Sequence, residues 1–294
     1  MTFSIVARTD DGRWGVGVAS KYLAAPTAVT AARAGVGALA TQAWCNLGWR
    51  PLGLARLQTG LTAEQVVAEL TAADPRRDER QLGMVGATGP GVSFTGSACM
   101  DWAGGVAGGC APGERGEAYA IQGNILAGPE VVEAMHRAWL TGDVDAPLAH
   151  RLVRVLQAGD AAGGDRRGRQ SAGLFVVSTE RREANRAEFG TELAPDDEVD
   201  LRVDDHPDPM AELARLLALH DLYNAPSDPQ TWLPLAGDLA HEVDGHLQRL
   251  GYPPLPEGLD AWAGVENFEN RLHDGVIEPV LLDQLRGAAA DAPG

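Results

Sequence analysis

TFSIVARTDDGRWGVGVASK, residues 2–21, decides how the chain is read. Two largely apolar runs, Thr2 to Thr9 and Arg13 to Lys21, flank Asp11-Gly12, and Asp-Gly between such runs is among the strongest short-range signals for a β-hairpin. A two-residue loop at Asp11-Gly12 sets Asp10 opposite Arg13 and, counted back along both strands, Thr2 opposite Lys21. Directly opposed Cβ atoms lie about 4.5–5.5 Å apart on one face, which puts an ammonium beside the threonine. Gly15, Gly17 and Ala19 share parity with Lys21 and keep that face low. The placement depends on register: a slip of one residue pairs Thr2 with Ser20 and turns Lys21 to the other side.

Thr2 matters because a small second residue favours removal of Met1. The new N-terminus then carries a hydroxyl and an α-amine on one residue. An α-amine has an ordinary pKa of about 7.7–8.0, so a useful fraction is neutral near pH 7 and can take the hydroxyl proton. A neighbouring Lys21 ammonium lowers that pKa by like-charge repulsion and favours the developing alkoxide.

Outward from the hairpin, Val29 to Ala34 and Val36 to Gln42 continue as strands. Pro51 to Thr59 and Thr62 to Ala73 read as helices, the second capped by Thr62 with Gln65 three residues on. Gln81 to Ala87, Gly91 to Ser97 and Ala118 to Gln122 read as strands. Pro129 to Leu140 and Pro147 to Ala158 are helical by spacing, each with proline at its first turn. Ser171 to Ser178 returns to strand. Glu180 to Asp197 is charged and irregular and reads as an exposed excursion, followed by a strand at Val199 to Val203 and a helix at Pro207 to Leu222. Strands in runs, rather than in βαβ alternation, predict a largely antiparallel α+β domain. From about Ala225, prolines punctuate short helices at Pro234 to Leu250, Leu259 to Arg271 and Pro279 to Arg286. The expected organisation is one domain over 1–224 and a small all-α module over 225–294.

The chain has 294 residues and a formal net charge of −17. That charge argues against nucleic acid, whose phosphates must be neutralised by Lys and Arg, and against an anionic membrane surface. No apolar run reaches the roughly 20 residues of a membrane helix, and the start lacks signal-peptide character, so a cytoplasmic address is expected. Cys45, Cys99 and Cys110 form no C-x-x-C and read as reduced packing thiols. His241 and His246 lie five apart, about 140° around a helix, which does not suit a shared metal. Gly35-Val-Gly-Ala-Leu-Ala40 fits G-x-G-x-x-A without the helix that phosphate binding requires. No metal or cofactor is called for.

Five segments carry a family resemblance: Thr2 to Arg8, Gly15 to Lys21, Ala34 to Gln42, Gln122 to Gly128 and Gly163 to Ser171. They resemble the bacterial family of domain-of-unknown-function 1028, assigned to the N-terminal-nucleophile hydrolase superfamily. The resemblance implies a four-layer αββα sandwich. Leu247 to Tyr252, Trp262 to Phe268 and Gly275 to Pro279 are similar to a peptidoglycan-binding-like module that accompanies some members.

Carried over residue by residue, the resemblance implies Thr2 as nucleophile, Lys21 as its basic neighbour and Asn124 as an oxyanion donor, where a turn role is the equal alternative. Gln42 and Gln122, at strand ends, are candidates for binding substrate polar groups. In Asp165-Arg166-Arg167-Gly168-Arg169, Asp165 could orient the amine or an arginine, and Arg166 or Arg169 could clamp a carboxylate. The alternative is a surface ion-pair loop. The expected function is hydrolysis of a small amide, anionic if the clamp reading holds, by a chain that forms a homodimer. The alternative is a non-catalytic binding protein on the same fold, its C-terminal module docking a cell-wall fragment or protein partner.

Overall fold

A three-residue loop, not a two-residue one, closes the first hairpin. The computed structural model describes residues 2–190 and 195–292. In it β1 (Thr2–Arg8) pairs antiparallel with β2 (Arg13–Ser20), from Arg8 opposite Trp14 to Phe3 opposite Ala19. The Gly12 N–H donates to the Thr9 carbonyl at 3.3 Å, the Thr9 N–H to the Arg13 carbonyl at 3.0 Å, and Gly12 has φ +82°. A tight turn followed by a left-handed glycine is the bulged form of hairpin, and it adds one residue to the loop. Asp11 holds it by accepting from Thr9 Oγ1 at 2.5 Å and from the Arg13 guanidinium at 2.7 Å. The register therefore moves by one. Ser20, not Lys21, comes to lie beside Thr2, which corrects the expected juxtaposition.

The chain continues through α1 (Ala25–Val29), β3 (Thr30–Arg33), β4 (Gly37–Ala43), α2 (Trp49–Gln58), α3 (Ala63–Ala73), β5 (Arg80–Gly86), β6 (Val92–Thr95), β7 (Gly104–Gly109) and β8 (Ala118–Asn124). Then come α4 (Glu130–Thr141), α5 (Leu148–Ala161), β9 (Ser171–Ser178), α6 (Thr179–Phe189), β10 (Asp197–Val203) and α7 (Pro209–Asn224). Six strands in the order β10-β9-β2-β1-β8-β7 make one sheet and four in the order β3-β4-β5-β6 the other. Every pairing within them is antiparallel.

The two sheets lie face to face. Helices α4 and α5 cover the outer face of the larger sheet, and α2 and α3 that of the smaller, giving the four-layer αββα sandwich. Each layer boundary has its own core. Phe3, Ile5 and Ala7 point outward to Met135, Leu152 and Leu156. Val6, Val16 and Val18 point inward to Ala38, Ala40 and Val85 of the second sheet. Leu39, Leu82 and Met84 meet Val66, Val67 and Leu70 of α3. All seven positions of β1 are buried, so both faces must be compatible with an interior and the strand reads as a run rather than an alternation.

Thr62 caps α3: its hydroxyl accepts the Gln65 N–H and the Gln65 side chain accepts the Thr62 N–H, the reciprocal box expected from the spacing. Thr62→Ala is expected to cost about 1 kcal/mol, read as a lower denaturation midpoint at unchanged slope. Three elements of the first unit depart from the sequence reading, one of them α1 (Ala25–Val29), which takes up the first residue of the strand expected at Val29 to Ala34. Gly104–Gly109 is a strand although four of its six residues are glycine. The charged segment after Ser178 is helical: the Ser178 hydroxyl accepts the Arg181 N–H and Gly190, at φ 63°, closes the far end. Part of the expected excursion, residues 191–194, lies outside the described residues.

Two compact units divide the chain, Met1–Leu217 and Ala218–Gly294. The division falls earlier than the composition change near 225, because Leu222 and Tyr223 pack with the core of the second unit. That unit holds β11 (Leu233–Pro234), α8 (Gly237–Arg249), α9 (Glu257–Glu266), β12 (Leu272–His273), β13 (Val276–Ile277) and α10 (Pro279–Asp291). It is helical with one ribbon of two-residue strands, around Leu247, Trp262, Ile277 and Leu285. Among the described residues no helix is long and apolar enough to cross a membrane.

Candidate active site

Thr2 opens β1 on the face turned toward the second sheet, the face it shares with Ser4 and Val6. Its neighbours follow from pairing. β1 is central, so Thr2 has a strand on each side: Asn124 of β8 is directly opposite, and on the β2 side Thr2 Oγ1 shares a 3.1 Å hydrogen bond with Ser20 Oγ. Thr2 and Ser20 are 6% and 2% exposed, and Asn124 is 1% exposed. A secondary hydroxyl, a primary hydroxyl and a carboxamide therefore meet at one end of the sandwich.

Below them the interface between the sheets is polar. Gln42 Nε2 donates to the Thr2 carbonyl at 3.2 Å and to Gln81 Oε1 at 2.8 Å, while Gln42 Oε1 accepts Ser4 Oγ at 2.7 Å. Asn124 Nδ2 donates to the same Gln81 Oε1 at 2.9 Å. Gln81 Nε2 in turn donates to the Gly123 carbonyl at 2.7 Å and to Thr95 Oγ1 at 2.9 Å. Gln81 thus fixes both Gln42 and Asn124. A buried amide network of this kind is rigid only when its donors and acceptors are matched. The Asn124 amide has a second N–H beyond its bond to Gln81, on the residue that pairs with Thr2 across the sheet.

The two glutamines expected to bind substrate do otherwise. Gln42 donates its amide N–H groups to protein partners, so it orders the start of β1. Gln122 is fully buried, donates from Nε2 to Ser4 Oγ at 2.6 Å, and stacks so closely over β5 that a Cβ on Gly83 would lie 2.1 Å from its Oε1. Gly83 is the residue that lets this amide fit. Gln81 was not singled out in the sequence, and Ser20 entered only as the partner in a slipped register; nothing local in either segment marks their roles.

The family of unknown function DUF1028 matches residues 2–213, which include every group just described. The chain belongs to this family. Residues 224–285 match a model described as "Putative peptidoglycan binding domain". A crystal structure of a Silicibacter pomeroyi protein of the DUF1028 family is similar at 27% identity and a TM-score of 0.61, over 82% of this chain and 92% of that one. No protein of curated function matches.

In this DUF1028 unit the Asp165 loop is an anchor. Asp165 Oδ2 accepts the Lys21 N–H at 2.7 Å and Oδ1 the Arg167 N–H at 2.8 Å, with the Arg167 guanidinium 3.4 Å from Oδ2. Its carboxylate, 3% exposed, ties the loop to the end of β2, engaged with neither Thr2 nor Asn124. Lys21 Nζ donates to the Arg169 carbonyl at 3.1 Å. Arg169 pairs with Asp160 at 2.8 Å, so of the two proposed clamp residues only the exposed Arg166 has no carboxylate partner among the described residues. Its own N–H donates to the Ile125 carbonyl at 3.3 Å, one residue past Asn124.

A buried ion pair steadies the start of β5. Burial pushes the Asp74 carboxyl up, but hydrogen bonds from Asn46, Arg80 and the Arg76 N–H, with the Arg80 charge, outweigh it and hold the group below the ordinary carboxylate value. A depressed folded-state pKa contributes stability above the unfolded value, about 3.9, and loses it as pH falls through the folded value. Denaturation midpoints measured from pH 7 to pH 2 are expected to drop at the acid end. Asp74→Asn should be less stable at pH 7 and show a flatter acid limb.

Proposed function

We propose that the DUF1028 unit is an amide hydrolase of the N-terminal-nucleophile type, working through Thr2 once Met1 is removed. The observation that carries this reading is the placement of Thr2: first residue of a central strand, at the mouth of a two-sheet interface, with Ser20 Oγ at 3.1 Å and Asn124 directly across. Met1 itself lies outside the described residues.

In the reaction, the neutral α-amine accepts the Thr2 Oγ1 proton as Oγ1 attacks the amide carbonyl carbon. The carbonyl oxygen becomes an oxyanion and accepts the second Asn124 Nδ2 N–H, a donor already fixed by Gln81 and needing no reorganisation. The C–N bond breaks, the ammonium returns its proton to the leaving amine, and an ester remains on Oγ1. Water gives a proton to the same amine as it attacks the ester carbonyl, and the ammonium passes that proton to Oγ1 as the C–Oγ1 bond breaks, which releases the acid and restores Thr2. Ser20 acts as a positioning residue that holds the Thr2 hydroxyl rotamer. Lys21, displaced by the hairpin register, has no step here.

The C-terminal match supports a second, compatible role, in which residues 224–285 dock the enzyme to a cell-wall fragment or partner. The hydrolase reading requires the intact mass of protein purified from its own host to lack Met1. Retained Met1 would leave an amide nitrogen where the base must be and would overturn it.

A further inference from the structure

Of the large apolar side chains exposed among the described residues of the first unit, Leu52 lies in α2, Leu140 in α4 and Val144 just after α4, while the other five lie in segments that run from the strands holding the site. Tyr22 is 63% exposed, Leu23 58%, Trp44 63%, Leu47 52% and Met100 65%. Each of three segments is joined to the site by the backbone. Tyr22 lies two residues beyond Ser20. Trp44 lies two residues beyond Gln42, the side chain that holds the Thr2 carbonyl. The Met100 carbonyl accepts the N–H of Ile125, which follows Asn124. Isolated exposed apolar residues need no explanation, but a concentration of them around polar reacting groups marks a ligand surface.

Resting on the hydrolase reading, we propose that this rim binds an apolar or aromatic acyl group and that the substrate class is carboxamides with hydrophobic acyl groups. The occupant follows from what the site offers on each side. Of the loop arginines, Arg167 and Arg169 are committed to Asp165 and Asp160, and one exposed guanidinium gains at most about fivefold in affinity for a carboxylate. Removing a phenyl ring from water against Trp44 and Met100 gains more than about tenfold. The net charge of −17 further disfavours an anion.

Equilibrium binding of phenylacetamide, acetamide and succinamate to Thr2→Ala protein tests the rim without turnover. Phenylacetamide is expected to bind at least about tenfold more tightly than acetamide, succinamate no more than about fivefold. Trp44→Ser and Met100→Ser, at surface positions, should each reduce the phenylacetamide preference and leave acetamide unchanged. Equal binding of phenylacetamide and acetamide, tightest binding of succinamate, or a preference unaffected by both rim variants would overturn the assignment. So would rim variants that only convert a dimer to a monomer, which would make the patch a contact between copies. Failure of the hydrolase reading shows separately, as amide turnover that survives Thr2→Ala.

Discussion

Thr2→Ala is expected to lower amide hydrolysis by at least about 10³-fold in kcat/KM, with the folded protein unchanged in stability to within about 1 kcal/mol. Loss of a nucleophile removes the covalent route itself, whatever the substrate, so the effect exceeds that of any positioning group. The stability estimate follows from the site: the side chain loses one hydroxyl hydrogen bond, to Ser20, at the open end of a strand whose apolar anchors Phe3 and Ile5 stay in place. Thr2→Ser keeps a hydroxyl and an α-amine and should retain measurable turnover. Steady-state kinetics on matched, Met1-free preparations check both variants, and equal rates for Thr2→Ala and the native protein would remove Thr2 from the mechanism.

Asn124→Ala comes second, with kcat expected to fall about 10²–10³-fold and KM to change little. An oxyanion donor acts mainly in the transition state, and removing one typically costs that much. Asn124 qualifies on geometry: it faces Thr2 across the β1–β8 pair, one N–H is held by Gln81 Oε1 at 2.9 Å, and the other is left to donate. The variant also leaves Gln81 Oε1 with Gln42 as its remaining side-chain donor, so a destabilisation of about 1 kcal/mol accompanies the kinetic loss. Gln81→Met separates the two effects. It should destabilise more than Asn124→Ala, since five hydrogen bonds meet at Gln81, while lowering kcat less because the donor itself survives. A kcat that tracks stability across both variants would reduce Asn124 to a packing role.

Much of this fold was legible because the signals are local. The Asp11-Gly12 turn, the Thr62-Gln65 capping box and the prolines before α4 and α5 each act over a few residues, and each marks an element the structure contains. The hairpin register was not legible, although its two outcomes were. Asp-Gly serves a two-residue loop and a bulged three-residue loop alike, and the choice depends on how Thr9, Asp11 and Arg13 bond to one another. That one residue decides whether an ammonium or a hydroxyl neighbours Thr2.

The strand Gly104–Gly109 escaped notice because its glycines carry no β-branched or aromatic side chains. Instead, they let β7 lie close against its neighbours: a Cβ on Gly105 would sit 2.2 Å from Ser93 Oγ. The helix Thr179–Phe189 escaped because its charged surface masks helical spacing, although Ser178 and Gly190 carry the cap chemistry at its ends. In the site, Thr2 and Asn124 were visible as residue types with a role to fill. Gln81 was not, since its importance lies in joining two sheets 39 and 43 residues away from its partners Gln42 and Asn124.

In the proposed mechanism Thr2 Oγ1, on a free N-terminus, forms the bond to carbon. Peptide mapping by mass spectrometry after brief reaction with an activated p-nitrophenyl ester tests it most directly. In acid-quenched, acid-digested samples, which keep the ester from migrating to the α-amine, one acyl adduct is expected on an N-terminal peptide that begins at Thr2, released by hydroxylamine. An adduct confined to another residue, or an N-terminal peptide that still begins with Met1 and carries no acyl group, would contradict it.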